Sequence, residues 1–176
     1  HRNVNWRLFF PLVAAGVVGG ILGVTLLTGV PGDAVKPFVA SRYPADPSDE
    51  TLVGMSLSGL FALYAMFKAP GTFRRCVAVS PALWWAGGKL LELEADLATR
   101  ASDLPAHLFL AAGGLEELHD ADSRLVSNLY ALHSRLESRR YPGLTTTLKV
   151  FEGETHMSVY PGAAARGLSE VFGGPG

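Results

Sequence analysis

Residues 51–62 constrain the fold of this chain more than any other stretch. They read TLVGMSLSGLFA, a short apolar run followed by a turn of small residues and the start of a strongly helical segment. Strand, sharp turn and helix with a serine at the turn form a nucleophile elbow, written G-x-S-x-G, which holds the serine hydroxyl clear of its neighbours. The helix N-terminus behind the turn offers N–H groups and a positive dipole end to a developing oxyanion. The stretch therefore predicts Ser56 as a nucleophile.

The match to the elbow pattern is incomplete. Gly54 and Ser56 occupy the expected places, but Ser58 stands where the second glycine belongs and Gly59 comes one residue later. Since short motifs also match by chance, the competing interpretation is an ordinary strand–turn–helix with two surface serines. A matching acid and base elsewhere in the chain would favour the elbow.

Candidates for both partners follow later strands. Residues 107–112 predict a buried strand that opens into a loop with Glu116, and residues 147–151 predict the last strand, which is followed by His156. Catalytic groups of open α/β sheets gather beyond the carboxyl ends of the strands. We therefore expect Ser56, Glu116 and His156 to lie together, in the chain order serine, acid, histidine that accompanies this type of elbow.

Other polar residues near these strands have competing interpretations. Glu117 is adjacent to Glu116 and is the alternative acid, whereas Asp120 and Asp122 have the character of helix-start residues. His119 lies near the predicted site or simply at a helix start. Glu154 is expected to be a solvated loop residue, or to orient the histidine that follows it.

The rest of the chain alternates strands and helices. The predicted strands are residues 51–55, 75–80, 107–112 and 147–151, and the predicted helices are residues 33–43, 57–68, 89–100, 120–139 and 160–172. The helix at 57–68 is apolar on nearly every face, which predicts that it is buried. The helix at 89–100 carries a leucine stripe, with Glu94 off that stripe. This alternation predicts an α/β fold whose strands pair in parallel through crossover helices.

Three separated stretches resemble one family. Residues 54–64 (GMSLSGLFALY), 77–85 (VAVSPALWW) and 151–156 (FEGETH) are similar to the esterases that include esterase D and the enterochelin (siderophore trilactone) esterases. The resemblance spans residues 33–172 and implies a three-layer α/β-hydrolase-like fold, present as its C-terminal half because the family's N-terminal half is not matched. It also implies a serine esterase that hydrolyses small-molecule carboxylic esters through an acyl-enzyme.

The resemblance assigns roles to individual residues. Ser56 would be the nucleophile, His156 the general base, and the Leu57 N–H one contact of the oxyanion hole. The acid stays open between Glu116, which aligns with the family's loop, and the adjacent Glu117. It could also be dispensable, because some members work with a serine–histidine pair. No cofactor is implied, and the second oxyanion N–H would come from the unmatched half.

Three further residues are expected to contact the substrate. Met55 stands where the family often has histidine, which leaves the chemistry intact but changes the floor of the pocket. Trp84 and Trp85 follow the second strand on its catalytic side, and the family match implies that they form a wall of the substrate pocket. The alternative for the tryptophans is that they only cap the core.

Composition excludes several other functions. A chain of 176 residues that is 48% hydrophobic can build one sizeable core, and a net charge of −1 without a basic run argues against nucleic-acid binding. The single cysteine, Cys76, cannot form an internal disulfide and is expected to be a buried strand thiol, so the redox compartment is undetermined. Neither a CxxC nor an HExxH pattern is present, so no metal site is predicted.

Residues 1–32 do not fit the pattern of the remaining chain and are assigned to a separate segment, with a catalytic domain at 33–176. Residues 8–32 are uncharged, apolar and long enough to span a bilayer, and Arg2 and Arg7 precede them as in a signal anchor or signal peptide. The alternative, favoured by the segment's many glycines, is a buried part of the fold. The first alternative predicts a membrane-anchored or exported protein, and the second a cytoplasmic one.

An apolar N-terminal segment also bears on assembly. The predicted elbow strand has an open outer edge, and exposed edges favour pairing with another chain. Because the segment is too apolar to lie in water, we expect it to cover that edge, in its own subunit or in a partner's. The covered surface would then be the interface of a two-fold homodimer. The competing class of function is a catalytically silent interaction or membrane-anchored module that retains the elbow only as scaffold.

Overall fold

The computed structural model of the protein describes residues 41–42, 46 and 49–173. The chain separates into two units, His1–Pro47 and Ser48–Gly176, and the elements described below belong to the second. Residues 1–32 lie outside the described residues, so the segment, its boundary at residue 33, the dimer and the anchor stay predictions. No helix in the described part of the chain is long and apolar enough to cross a membrane.

Strands and helices alternate throughout the second unit, as the sequence predicts. In chain order the elements are β1 (Thr51–Met55), α1 (Leu57–Lys68), β2 (Arg75–Val79), a 3₁₀ turn (Trp85–Gly87), α2 (Lys89–Arg100), β3 (Ala106–Gly113), α3 (Glu116–His119), α4 (Leu125–Arg139), β4 (Leu144–Phe151) and α5 (Val159–Gly173). The predicted bounds of β1, α1 and α2 agree with these, whereas β4 begins three residues earlier than predicted.

The four strands form one parallel sheet in the order β1-β2-β3-β4. Alternate residues of each strand face opposite sides, so that Cys76 and Ala78 of β2 pack beneath α1, α2 and α4. Val77 and Val79 of the same strand pack beneath α5. Helices cover both faces of the sheet, and its two central strands, β2 and β3, are buried along nearly their whole length, which explains the continuous apolar runs of those two strands. The predicted three-layer α/β architecture is confirmed.

The single cysteine is part of this core. Cys76 is fully buried on β2, and burial raises the pKa of its thiol to about 12. A thiol with so high a pKa holds little reactive thiolate at neutral pH. The prediction of a buried strand thiol is confirmed.

Helix α1 is buried on one face only, which corrects the prediction from its composition. Leu63, Met66 and Phe67 are buried against the sheet, whereas Phe61 on the opposite face is 58% exposed. An apolar composition shows that a helix can be buried, but neighbouring elements determine which faces are covered.

Helix α4 begins at Leu125 rather than at residue 120, because a turn precedes it. In that turn the carboxylate of Asp120 accepts a hydrogen bond from the Ser123 N–H, and Arg124 takes a left-handed conformation with φ 46°. From Leu125 onward the predicted leucine stripe is buried. The interpretation of Asp120 as a residue at the helix start is therefore wrong by several positions.

Glu94 of α2 is fully buried, although the sequence places it off the leucine stripe of its helix. Arg139 of α4 donates two hydrogen bonds to its carboxylate, at 2.8 and 3.1 Å, and Arg135 makes a third contact at 3.5 Å. This hydrogen bonding to Glu94 raises the pKa of Arg139. The ion pair joins α2 to α4 beside the core.

Replacing Arg139 by alanine should lower the free energy of unfolding by about 3 kcal/mol, because it leaves a buried carboxylate nearly uncompensated. Arg135→Ala is the matched control and should cost about 1 kcal/mol or less, since its contact with Glu94 is longer. Denaturant unfolding with linear extrapolation measures both values. Equal losses in the two variants would contradict the bidentate pairing.

Candidate active site

The carboxyl ends of all four strands lie at one edge of the parallel sheet. The chain leaves β1 at Ser56, β2 at Ser80, β3 toward Glu116 and β4 toward His156. Because the strands are parallel and neighbouring, these four polar residues project from adjacent positions along the same edge.

Ser56 alone connects β1 to α1. Its backbone has φ 56° and ψ −118°, a conformation that residues with a side chain rarely adopt. Three backbone hydrogen bonds hold the turn: the Ser56 N–H donates to Val79 at 3.0 Å, and the Ser56 carbonyl accepts from Leu60 at 2.9 Å and from Ala82 at 3.1 Å. Strain that is retained in this way marks a functional position. A strained serine held between a strand and a helix is the local geometry that the predicted nucleophile elbow requires.

The incomplete motif has a structural explanation. A side chain at Gly54 would place its Cβ 2.2 Å from the Ser58 carbonyl oxygen, so the first glycine is required. Ser58 is tolerated at the second glycine position because its hydroxyl accepts the Met55 N–H at 2.8 Å and donates to the Met55 carbonyl at 2.7 Å. Ser58 thus satisfies the backbone of β1 where the strand ends.

Glu116 and His156 are in direct contact. Glu116 Oε2 lies 2.7 Å from His156 Nδ1, the side chain of Glu116 is 1% exposed, and that of His156 is 35% exposed. An ionised carboxylate only accepts hydrogen bonds, so the proton of a neutral imidazole is held on Nδ1. The other ring nitrogen, Nε2, is then left without a proton, as a general base requires.

The second carboxylate oxygen of Glu116 has two donors of its own. Oε1 accepts a hydrogen bond from the Ser80 hydroxyl at 2.5 Å and from the Gly113 N–H at 2.6 Å. The two oxygens therefore have separate functions, since Oε1 fixes the carboxylate and Oε2 contacts the histidine.

The loops after β3 and β4 are bonded to each other, which brings the acid and the histidine together. The Gly114 N–H donates to the Phe151 carbonyl at 2.8 Å, and the Leu115 N–H donates to the Glu154 carbonyl at 3.0 Å. Gly113 permits this approach, because a Cβ there would lie 2.4 Å from the Glu154 carbonyl oxygen.

Ser56, Glu116 and His156 line one cavity of about 440 Å³. Of the other predicted residues, Trp84 and His119 also line it. A pocket of this size with a few converging polar groups fits a small-molecule ligand.

Three expectations do not match this geometry. Met55 is not among the described residues that line the cavity and packs against the cluster beneath α5. Trp85 lines a separate apolar groove of about 620 Å³ between α1 and α2, although its ring centroid is only 5.8 Å from that of Trp84. Glu117 turns away from the cavity and binds the Ser127 N–H and hydroxyl at 2.7 and 2.6 Å, and the hydroxyl's hydrogen bond lowers the pKa of Glu117.

Sequence reasoning missed six residues of the cavity wall: Ser80, Ala82, Asp120, Leu125, Thr155 and Met157. Ser80 is the one with a sequence signal, since it ends the predicted strand 75–80 at the edge where the catalytic candidates gather. Asp120 and Met157 depend on turns whose course is set by packing and could not be identified from spacing.

A family described as "Putative esterase" matches residues 32–158, which are most of the chain. The chain belongs to this esterase family. The ferri-bacillibactin esterase BesA of Bacillus subtilis is 32% identical over 136 residues, 76% of this chain and 46% of that protein. The siderophore triacetylfusarinine C esterase of Aspergillus fumigatus is 31% identical, over 97% of this chain and 65% of that protein.

A solved structure of the same kind supports the fold. The siderophore hydrolase EstA from Aspergillus nidulans superposes with a TM-score of 0.70 at 26% identity, over 76% of this chain and 51% of that chain. This chain therefore spans between about half and two thirds of the length of these three relatives.

Proposed function

We propose that the protein hydrolyses carboxylic esters through a triad of Ser56, His156 and Glu116. His156 Nε2 removes the proton of the Ser56 hydroxyl as its oxygen attacks the ester carbonyl carbon. The tetrahedral intermediate collapses, the C–O bond to the alcohol breaks, and the proton on His156 passes to the departing alkoxide. An acyl group remains on Ser56.

Water completes the cycle. His156 takes a proton from a water molecule, the hydroxide attacks the acyl carbon, and the acid leaves as the proton returns to Ser56. The oxyanion of both steps is stabilised by the Leu57 N–H, which belongs to the first turn of α1 and so has no acceptor within that helix. Glu116 stabilises the imidazolium that forms in each step.

One observation carries this proposal: the 2.7 Å contact between Glu116 Oε2 and His156 Nδ1, in a cavity that Ser56 also lines. A carboxylate that orients a histidine beside a serine on an elbow is the arrangement that serine hydrolysis needs. Nothing in the chemistry of these steps requires a cofactor.

The relatives narrow the substrate class. Each of the three is named for hydrolysis of a siderophore or of its ferric complex. We therefore propose siderophore esters as the first natural substrates to test, after simple activated esters. Trp84, which lines the cavity and is 45% exposed, is the proposed aromatic contact for such a ligand.

The purified chain should hydrolyse p-nitrophenyl acetate and butyrate, and a fluorophosphonate probe should label Ser56 alone. Only a serine activated by a neighbouring base attacks such a probe quickly. Peptide mapping by mass spectrometry locates the label. An unlabelled, inactive protein would favour a catalytically silent module, and a label on Ser58 would contradict the assignment of the nucleophile.

The association of this chain with a second copy or with a membrane remains a prediction from the sequence. A two-fold dimer and a membrane contact through residues 8–30 both depend on a segment outside the described residues. The catalytic steps above involve described residues of a single chain.

A further inference from the structure

Ser80 is a buried polar residue that the catalytic steps do not use directly. It is fully buried, follows β2, and has φ 44°, in the left-handed region that residues other than glycine rarely occupy. The next residue is Pro81, and the residue before a proline is further restricted toward extended conformations. The backbone at Ser80 is therefore strained, and strain of this kind collects at functional sites.

Two short hydrogen bonds hold Ser80 in this conformation. Its N–H donates to the Ala111 carbonyl of β3 at 2.6 Å, and its hydroxyl donates to Glu116 Oε1 at 2.5 Å. The first bond anchors Ser80 to the sheet, and the second fixes the Glu116 carboxylate relative to Ser80. A hydrogen bond to a charged acceptor is shorter and stronger than one between neutral groups.

The hydrogen bond from Ser80 restricts the rotation of the Glu116 carboxylate. With Ser80 and Gly113 both donating to Oε1, the other oxygen is left to contact His156. Without the Ser80 hydroxyl the carboxylate keeps one anchor, and its plane can turn about that single bond. The histidine would then lose its fixed orientation although every catalytic group is still present.

We propose that Ser80 is a positioning residue that acts through Glu116: its hydroxyl fixes the carboxylate so that Oε2 holds His156 in the orientation and tautomer needed for proton transfer. This proposal rests on the proposed ester hydrolysis and assigns a function to a residue outside the triad. In metalloenzymes, the residues that hydrogen-bond the metal ligands commonly contribute about 10- to 100-fold to activity by orienting them, and we expect an effect of the same size from Ser80.

The test compares two substitutions that remove the same hydroxyl with opposite effects on the backbone. Ser80→Ala keeps the strained φ, whereas Ser80→Gly relieves it, since glycine adopts positive φ readily. Both should lower kcat for p-nitrophenyl butyrate about 10- to 100-fold with little change in KM, while thermal stability is higher in the glycine variant. A merely structural role predicts instead that activity follows stability, so that glycine restores it.

The hydrogen bond between Ser127 and Glu117, the residue after Glu116, provides a matched control. The Ser127 hydroxyl donates to Glu117 Oε1 at 2.6 Å, the same kind of bond as that between Ser80 and Glu116. Ser127→Ala should leave kcat within about 2-fold of wild type. In a Glu116→Gln background, Ser80→Ala should lower kcat little further, because the effects of substitutions at two interacting residues are not additive.

A second readout does not depend on turnover. The Nδ1 proton of His156, held by a carboxylate, should give a low-field proton resonance that shifts or disappears in both Ser80 variants and is unchanged in Ser127→Ala. If the resonance changes in this way but the wild-type protein hydrolyses no ester, the positioning role of Ser80 is supported and the proposed esterase activity is rejected. Full activity with an unchanged resonance in the Ser80 variants would overturn the positioning role and leave the esterase standing.

Discussion

Ser56→Ala should reduce kcat for activated esters by about 10⁶-fold, because removing the nucleophile of a triad removes nearly all of its catalysis. The elbow leaves no substitute at this position. Ser56 is the one residue between β1 and α1, and its strained backbone is held by hydrogen bonds from both sides. Alanine fits the same space, so the fold should be unchanged. Single-turnover and steady-state assays with p-nitrophenyl butyrate measure the loss.

Ser58→Ala is the matched control for this prediction. Ser58 is two residues away, and among the described residues its hydroxyl bonds only the Met55 backbone. Its loss should weaken the end of β1 and lower kcat by about 10-fold at most. Comparable losses in the two variants would contradict the assignment of Ser56, since they would point to damage of the turn rather than removal of a nucleophile.

Local patterns predicted most of this fold. The bounds of β1, α1 and α2 follow from short apolar runs and a helical period, and these are set by residues close in sequence. The elbow also follows from local chemistry, since a residue with positive φ between strand and helix needs small neighbours. The predictions that were wrong concern side chains whose environment depends on residues distant in the chain.

Glu94 and Trp85 illustrate that limit. Glu94 is buried because arginines of α4, more than 40 residues later, bring opposite charge to it. Trp85 turns into the groove beside α1 because it opens a 3₁₀ turn in which Ala86 has φ 51°, and spacing from β2 gives no hint of that reversal. In each case the side chain's environment is a tertiary property that periodicity does not encode.

The choice of acid shows the same effect at the site. Glu116 and Glu117 are adjacent and chemically identical, so the sequence left both open. The structure separates them by their partners, because Glu116 contacts His156 while Glu117 bonds Ser127 at the start of α4. The decisive contacts join residues 40 and 10 positions apart.

Glu116→Gln should therefore lower kcat by about 10⁴-fold, because the wrong tautomer of the catalytic histidine has an effect of that size in a serine triad. The orientation of the new glutamine amide follows from the two hydrogen-bond donors at the position of Oε1. Ser80 and Gly113 both donate to this oxygen, so a glutamine must place its carbonyl there and its NH₂ toward His156. The amide then donates to Nδ1 of a neutral imidazole, and the ring proton moves to Nε2, where the base must be free.

Glu117→Gln is the control that makes this prediction specific. It changes the same charge one residue away, and its partner Ser127 lies outside the cavity lining. Its kcat should stay within about 3-fold of wild type. If Glu116→Gln kept a tenth or more of wild-type kcat, the site would operate as a serine–histidine pair and the acid would have only a structural role. If Glu117→Gln showed the larger loss, the acid would have been assigned to the wrong carboxylate.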